Sequence, residues 1–153
     1  MSAAVYFEIV RLCQRHADRL QWSMKAMETH LPFTSESLNH LTDIEVAILD
    51  QFSTRFARLQ DMMGMKLFPV VLELTKEPGE LDVFVDKLNR LEKIGAIPST
   101  DRWLVLREMR NIFSHEYPDD PEIQAAILNK AFKLADELIE TFNALKVFSG
   151  RYA

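Results

Sequence analysis

With a single cysteine, Cys13, the chain can form no disulfide within itself and can build no zinc site from thiolates. Its neighbours Val10 and Leu12 are apolar, which suits a buried structural thiol rather than a nucleophile. Glycine and proline are scarce, at 4 and 6 residues, so long linkers and low-complexity arms are not expected. No stretch approaches the ~20 apolar residues that cross a bilayer. The first residues, Met1 to Val5, hold no basic segment leading into an apolar one, so a cytoplasmic location is expected. Excess positive charge is missing as well. A net charge of −5 argues against a general nucleic-acid coat, yet it leaves room for a local basic patch or a basic partner.

What is present is helix-forming sequence. The 153 residues are 48% hydrophobic and 27% charged, ordinary values for one domain with its own core. Val5, Ile9, Leu12, His16, Leu20, Met24 and Met27 recur at three- and four-residue steps, so a first helix is expected from Ala3 to about Glu28. Leu31-Pro32 closes it. Thr42-Asp43-Ile44-Glu45 is a capping box that opens a second helix. Gly64 and Pro69 interrupt its continuation through Leu74, which predicts either one kinked helix or two short ones. A third helix is expected from Leu81, after a turn at Pro78-Gly79, to Ile94, stopping at Gly95. A fourth runs from Ser99-Thr100-Asp101 to about Glu116, ahead of Pro118. A fifth runs from Asp120 as N-cap and Pro121 to about Phe148. The expected fold class is all-α, an antiparallel up-and-down bundle of four to five helices.

One segment carries chemistry, Arg110-Asn111-Ile112-Phe113-Ser114-His115-Glu116-Tyr117 at the end of the fourth helix. Arginine is a permanent cation suited to phosphate, and histidine exchanges protons near neutral pH. Together they suffice for cutting RNA without a metal. On a continuous helix Arg110 and His115 would lie ~140° apart, while Asn111 and His115, four apart, would share a face. That geometry is awkward within one monomer. It fits better when two copies meet across a two-fold axis and pool their Arg and His residues. RNA self-cleavage needs one group to take the 2′-OH proton and another to protonate the leaving 5′-oxygen.

The string Met109 to Tyr117 resembles the R-N-x-x-x-H motif of the HEPN superfamily. Its extended form, Arg, four residues, His, one residue, Tyr, is similar to that of the HepT toxins. Phe84 to Ile97 followed by Trp103 to Arg110 resembles the segment leading into that motif, and Phe56 to Leu74 resembles the long second helix. The resemblance covers most of the chain from the second helix onward; the first matches only in character. It implies a single HEPN-like helical domain over residues 1–153, forming a homodimer through the motif helix. It implies a metal-independent endoribonuclease toxin needing no cofactor, with Arg110 and His115 catalytic and Asn111 supporting. Arg102 and Arg107 on the same helix are the expected RNA phosphate contacts. The partner it implies is a minimal nucleotidyltransferase antitoxin, which silences the toxin by attaching AMP to the tyrosine matching Tyr117. The alternative it also implies is a non-catalytic helical subunit that binds a nucleotidyltransferase and presents its substrate.

Plainer readings accompany these. Arg110 can pair a carboxylate such as Glu108, His115 can cap a helix end, and Tyr117 can simply pack. Arg11, Arg15 and Arg19, at four-residue spacing, suit an RNA or antitoxin contact but read as a solvated face. The pairs Asp82/Asp86 and Asp136/Glu140 read likewise. His16, His30 and His40 show no ligand pattern and read as structural. Met62, Met63 and Met65 suit an adaptable packing surface in the core or a dimer interface.

Overall fold

The computed structural model describes residues 3–76, 83–115 and 119–153. Its helices are α1 (Ala3–Met27), α2 (Ser35–Asn39), α3 (Asp43–Met62), α4 (Phe68–Leu74), α5 (Phe84–Lys93), α6 (Thr100–Ser114) and α7 (Pro121–Gly150). No strand occurs among the described residues, and the architecture is an all-α helical bundle. No helix among them is long and apolar enough to cross a membrane.

Local chemistry sets most boundaries. Thr42 Oγ1 accepts from the Glu45 N–H at 3.2 Å, and Glu45 Oε1 accepts from the Thr42 N–H at 2.9 Å, closing the expected capping box. Ser99 Oγ accepts from the Arg102 N–H at 3.1 Å to start α6. Asp120 Oδ1 accepts from the Glu122 N–H at 2.9 Å, with Pro121 in the first turn of α7. α2 is not among the helices expected from hydrophobic spacing. Thr34 caps it by accepting from the Ser37 N–H at 3.0 Å, while Ser37 Oγ accepts from the Thr34 N–H at 2.9 Å. Asn129 of α7 clamps the backbone just before it. Its Oδ1 accepts from the Phe33 N–H at 2.7 Å and its Nδ2 donates to the Phe33 carbonyl at 2.9 Å.

α5 ends at Gly95, which has φ +85°. The Ala96 N–H donates to the Leu91 carbonyl at 2.8 Å and the Gly95 N–H to the Glu92 carbonyl at 3.1 Å, a Schellman closure. A side chain there would strain the left-handed backbone. Gly95→Ala is therefore expected to lower stability by ~1 kcal/mol, read as a fall in the chemical denaturation midpoint. The expected turn at Pro78-Gly79 and the start at Leu81 lie outside the described residues, as does Asp82.

Between α3 and α4 the backbone stays helical throughout. Met63–Leu67 forms a π turn, and the Phe68 N–H donates to the Met63 carbonyl five residues back. Pro69 lacks an N–H, and its ring would crowd the carbonyl four residues earlier in a regular helix. The wider turn just before it gives that ring room.

Three pairings show that the long helices run antiparallel. His16 meets Arg55 while Trp22 faces Ile44 and Ala47, which fixes α1 against α3. Tyr6 bonds Ser149, and Lys146 Nζ donates to Gln14 at 2.7 Å, which fixes α1 against α7. Arg110 meets Asp61 and Phe113 meets Phe52, which fixes α6 against α3. The core between them is rich in aromatics: Phe52 stacks on Phe132 at 4.2 Å, and Phe68 tilts on Trp103 at 4.5 Å. Cys13 is buried, and burial pushes its thiol up to about 12, far from a nucleophile's range.

Candidate functional site

The last turn of α6 divides into an inward and an outward half. Ile112 and Phe113 are half-buried, and Phe113 sits edge-on against Phe56 at 5.4 Å and Phe52 at 6.1 Å. These two rings of α3 anchor the end of α6, and Asn111, Ser114 and His115 stay exposed around it.

Arg110 is held from two sides. Its Nε donates to Asp61 Oδ1 at 2.7 Å and its Nη2 to Asp61 Oδ2 at 2.8 Å, a bidentate pair across to α3. Its Nη1 donates to Ser114 Oγ at 2.9 Å, one helical turn on, and Ser114 Oγ donates to the Asn111 carbonyl at 3.0 Å. The carboxylate partner is Asp61, 49 residues away in sequence, and not the neighbouring Glu108. Hydrogen bonding to Asp61 holds the guanidinium's pKa above its ordinary value against the opposing effect of burial. Three of the five guanidinium N–H groups are engaged, leaving two for a further acceptor.

His115 has left the helix. It is the C-cap of α6 with extended backbone, φ −117° and ψ 152°, and its N–H reaches the Ile112 carbonyl at 3.3 Å. The helical wheel therefore stops at Ser114, and the shared face expected for Asn111 and His115 does not carry through. No hydrogen bond joins the Asn111 amide to the His115 ring. Tyr117 lies outside the described residues.

The two other arginines singled out on α6 are engaged locally. Arg102 forms a bidentate pair with Glu137 of α7, which raises its pKa. The Arg107 guanidinium lies over the Phe84 ring at 5.1 Å from the centroid. Both stay exposed, and Arg107 is the freer of the two for an incoming phosphate.

Elsewhere, the histidines have plain roles. His30 Nε2 pairs with Glu45 Oε2, tying the turn after α1 to the start of α3. His40 Nδ1 meets the Glu36 carbonyl at 2.8 Å. His16 Nδ1 meets Arg55 Nη1 at 2.9 Å, a contact with no sequence signal because the residues are 39 apart. Among the described residues no three His, Cys, Asp or Glu side chains gather closely enough to hold a metal ion. Comparison with known protein families, curated proteins and solved structures finds no match for this chain.

Proposed function

We propose that this chain is a metal-independent endoribonuclease toxin of HEPN/HepT type, working as a homodimer whose α6 ends form one shared cleft. The observation that carries the reading is the bidentate Asp61–Arg110 pair beside an exposed His115. Asp61 fixes the guanidinium plane in advance, so orienting it for phosphate loses little further freedom. The proposed chemistry needs only protein groups. One His115 imidazole takes the 2′-OH proton, the oxygen attacks phosphorus, and the second copy's His115 protonates the departing 5′-oxygen. The two Arg110 groups stabilise charge growing on the non-bridging oxygens. Asn111 supports the cleft and Arg107 and Arg102 hold flanking phosphates. The products are a 2′,3′-cyclic phosphate and a 5′-hydroxyl.

The proposed regulator is a minimal nucleotidyltransferase that transfers AMP to Tyr117. The adenylyl phosphate adds negative charge two residues beyond His115, where it competes with RNA for the arginines. The location consistent with this role is the cytoplasm.

Purified protein incubated with cellular RNA in EDTA is expected to cleave it and leave cyclic phosphate ends, detected by end-group analysis. Cleavage that needs a divalent ion, or that leaves 3′-hydroxyl ends, would sink the reading. A second reading, a non-catalytic partner of a nucleotidyltransferase, is favoured by one feature: Asp61 already neutralises Arg110. It predicts a tight complex with such a partner and no cleavage at all.

A further inference from the structure

The antiparallel packing of α1 on α3 gathers four arginines on one face, three of them around the His16 imidazole. Arg15 and Arg19 are one turn apart on α1, and Arg55 and Arg58 are neighbours on α3. Arg55 Nη1 donates to His16 Nδ1 at 2.9 Å, which requires that nitrogen to be unprotonated. Burial together with Arg55, Arg58 and Arg15 holds His16 below its usual range. Burial and then Arg19, Arg58 and Arg15 also depress Arg55 itself. Among the described residues, none of the four is paired with a carboxylate, whereas Arg11, Arg102 and Arg110 all are. Two acids share that face: Asp18, beside Arg15 and Arg19, accepts from the Gln14 amide at 2.9 Å, and Glu8, within electrostatic reach of Arg15, is paired with Arg11. In a chain of net charge −5, four guanidiniums gathered on one face without a direct carboxylate pair suit an external anion.

The surface beside them adds chemistry that a simple anion does not use. Arg19 borders a groove lined by Trp22, Ile44, Ala47, Ile48 and Gln51. The Trp22 side chain is exposed at 59% relative accessibility, a large aromatic face turned to solvent. Gln51 Nε2 is buried without an acceptor among the described residues. A guanidinium next to an indole and an amide donor matches a phosphate next to a base with acceptor edges. The carboxylates of an acidic peptide would neutralise the arginines, whereas each nucleotide brings both a phosphate and a ring for the indole. Arg58 is also three residues from Asp61, which holds Arg110, so the basic face runs along α3 toward the motif.

We propose that the α1/α3 face is a track for single-stranded RNA, in which Arg15, Arg55 and Arg58 take phosphates, Trp22 stacks a base, and the strand is led toward Arg110. The identity of the strand as RNA rests on the ribonuclease reading. The test is therefore binding to a strand that cannot be cut: a fluorescein-labelled 2′-O-methyl oligouridylate, followed by anisotropy over a salt series. Arg15→Ala/Arg58→Ala, both exposed and unpaired, is expected to fold normally and bind at least about tenfold more weakly. Its salt dependence should fall by about 1.4 in the log–log slope, since each lost single-strand phosphate contact removes ~0.7. Trp22→Ala should weaken binding about fivefold or more with the slope unchanged. Arg15→Lys/Arg58→Lys should keep the wild-type slope.

Wild-type binding by the double alanine variant would overturn the proposal. So would loss of binding in His115→Ala alone, which would put the strand on α6. If the double variant kept RNA and lost a nucleotidyltransferase instead, the face would be a protein interface. Failure of the ribonuclease reading would show separately, as a wild type that binds this strand and never cuts a cleavable one.

Discussion

His115→Ala is expected to lower RNA cleavage in EDTA by at least about 10²–10⁴-fold, the span for losing one general acid–base group, because the homodimer loses both its acid and its base. The fold should not notice. His115 is exposed at the C-cap of α6, and its contact with Ile112 is made by the backbone N–H, which alanine keeps. The expected change in stability is within about 0.5 kcal/mol, so a wild-type melting curve alongside lost cleavage assigns the effect to chemistry. Arg110→Ala should be equally inactive but less tidy, because it leaves the half-buried Asp61 carboxylate without its partner. Mixing the two variants tests the shared cleft. If the working site pools residues from two copies, heterodimers of Arg110→Ala with His115→Ala recover part of the activity that neither homodimer has. If each chain carried its own complete site, no mixture would recover anything. A His115→Ala protein that cuts RNA at the wild-type rate removes the proposed mechanism altogether.

Phe52→Ala is expected to cost about 3–5 kcal/mol, the range for emptying a buried phenylalanine site. Phe52 has no solvent-accessible surface and stacks on Phe132 of α7 at 4.2 Å. It also meets Phe113 of α6 edge-on at 6.1 Å and Phe56 at 6.4 Å. One ring thus joins three long helices, and its removal leaves a cavity no single side chain can collapse into. The loss is a large share of the ~5–15 kcal/mol that holds a typical domain folded. A denaturation midpoint close to wild type would contradict this account of the core. Loss of Phe52 also removes one of the two rings that seat Phe113, two residues before His115, so cleavage should fall even in molecules that remain folded.

Signals confined to a few adjacent residues were legible in the sequence. Thr42 with Glu45, Asp120 with Pro121, and Gly95 each announce a helix end, because the groups that satisfy the free backbone lie within one turn of it. The π turn was half legible: Gly64 and Pro69 mark a disturbance, yet whether it breaks the helix depends on what packs around it. Contacts between distant residues were not legible. Nothing near Arg110 names Asp61 as its partner, and nothing near His16 names Arg55. His16 keeps the spacing of an apolar stripe, and only the packing of α1 on α3 shows that a guanidinium faces it. The same limit affected Arg15 and Arg19. Seen on one helix they read as a solvated face; their counterparts Arg55 and Arg58 arrive from another. At the motif, helical geometry was extended one residue too far, since the C-cap conformation of His115 lies outside any wheel.

The π turn at Met63–Leu67 has a further consequence for how one rod serves two sets of neighbours. A π turn holds one residue more than an α turn, so side chains beyond it are out of phase by ~100° with those before it. Before the turn, Phe52, Phe56 and Leu59 point into the core between α1 and α6. After it, Phe68 points at Trp103 and the α4 segment packs beside α5. A loop could re-aim the chain in the same way, but it would leave backbone polar groups to be satisfied elsewhere. Here the rotation happens inside a continuous helical run whose π turn is closed by the Phe68 N–H on the Met63 carbonyl, and Pro69, the residue least suited to a helix interior, marks the place where the phase changes.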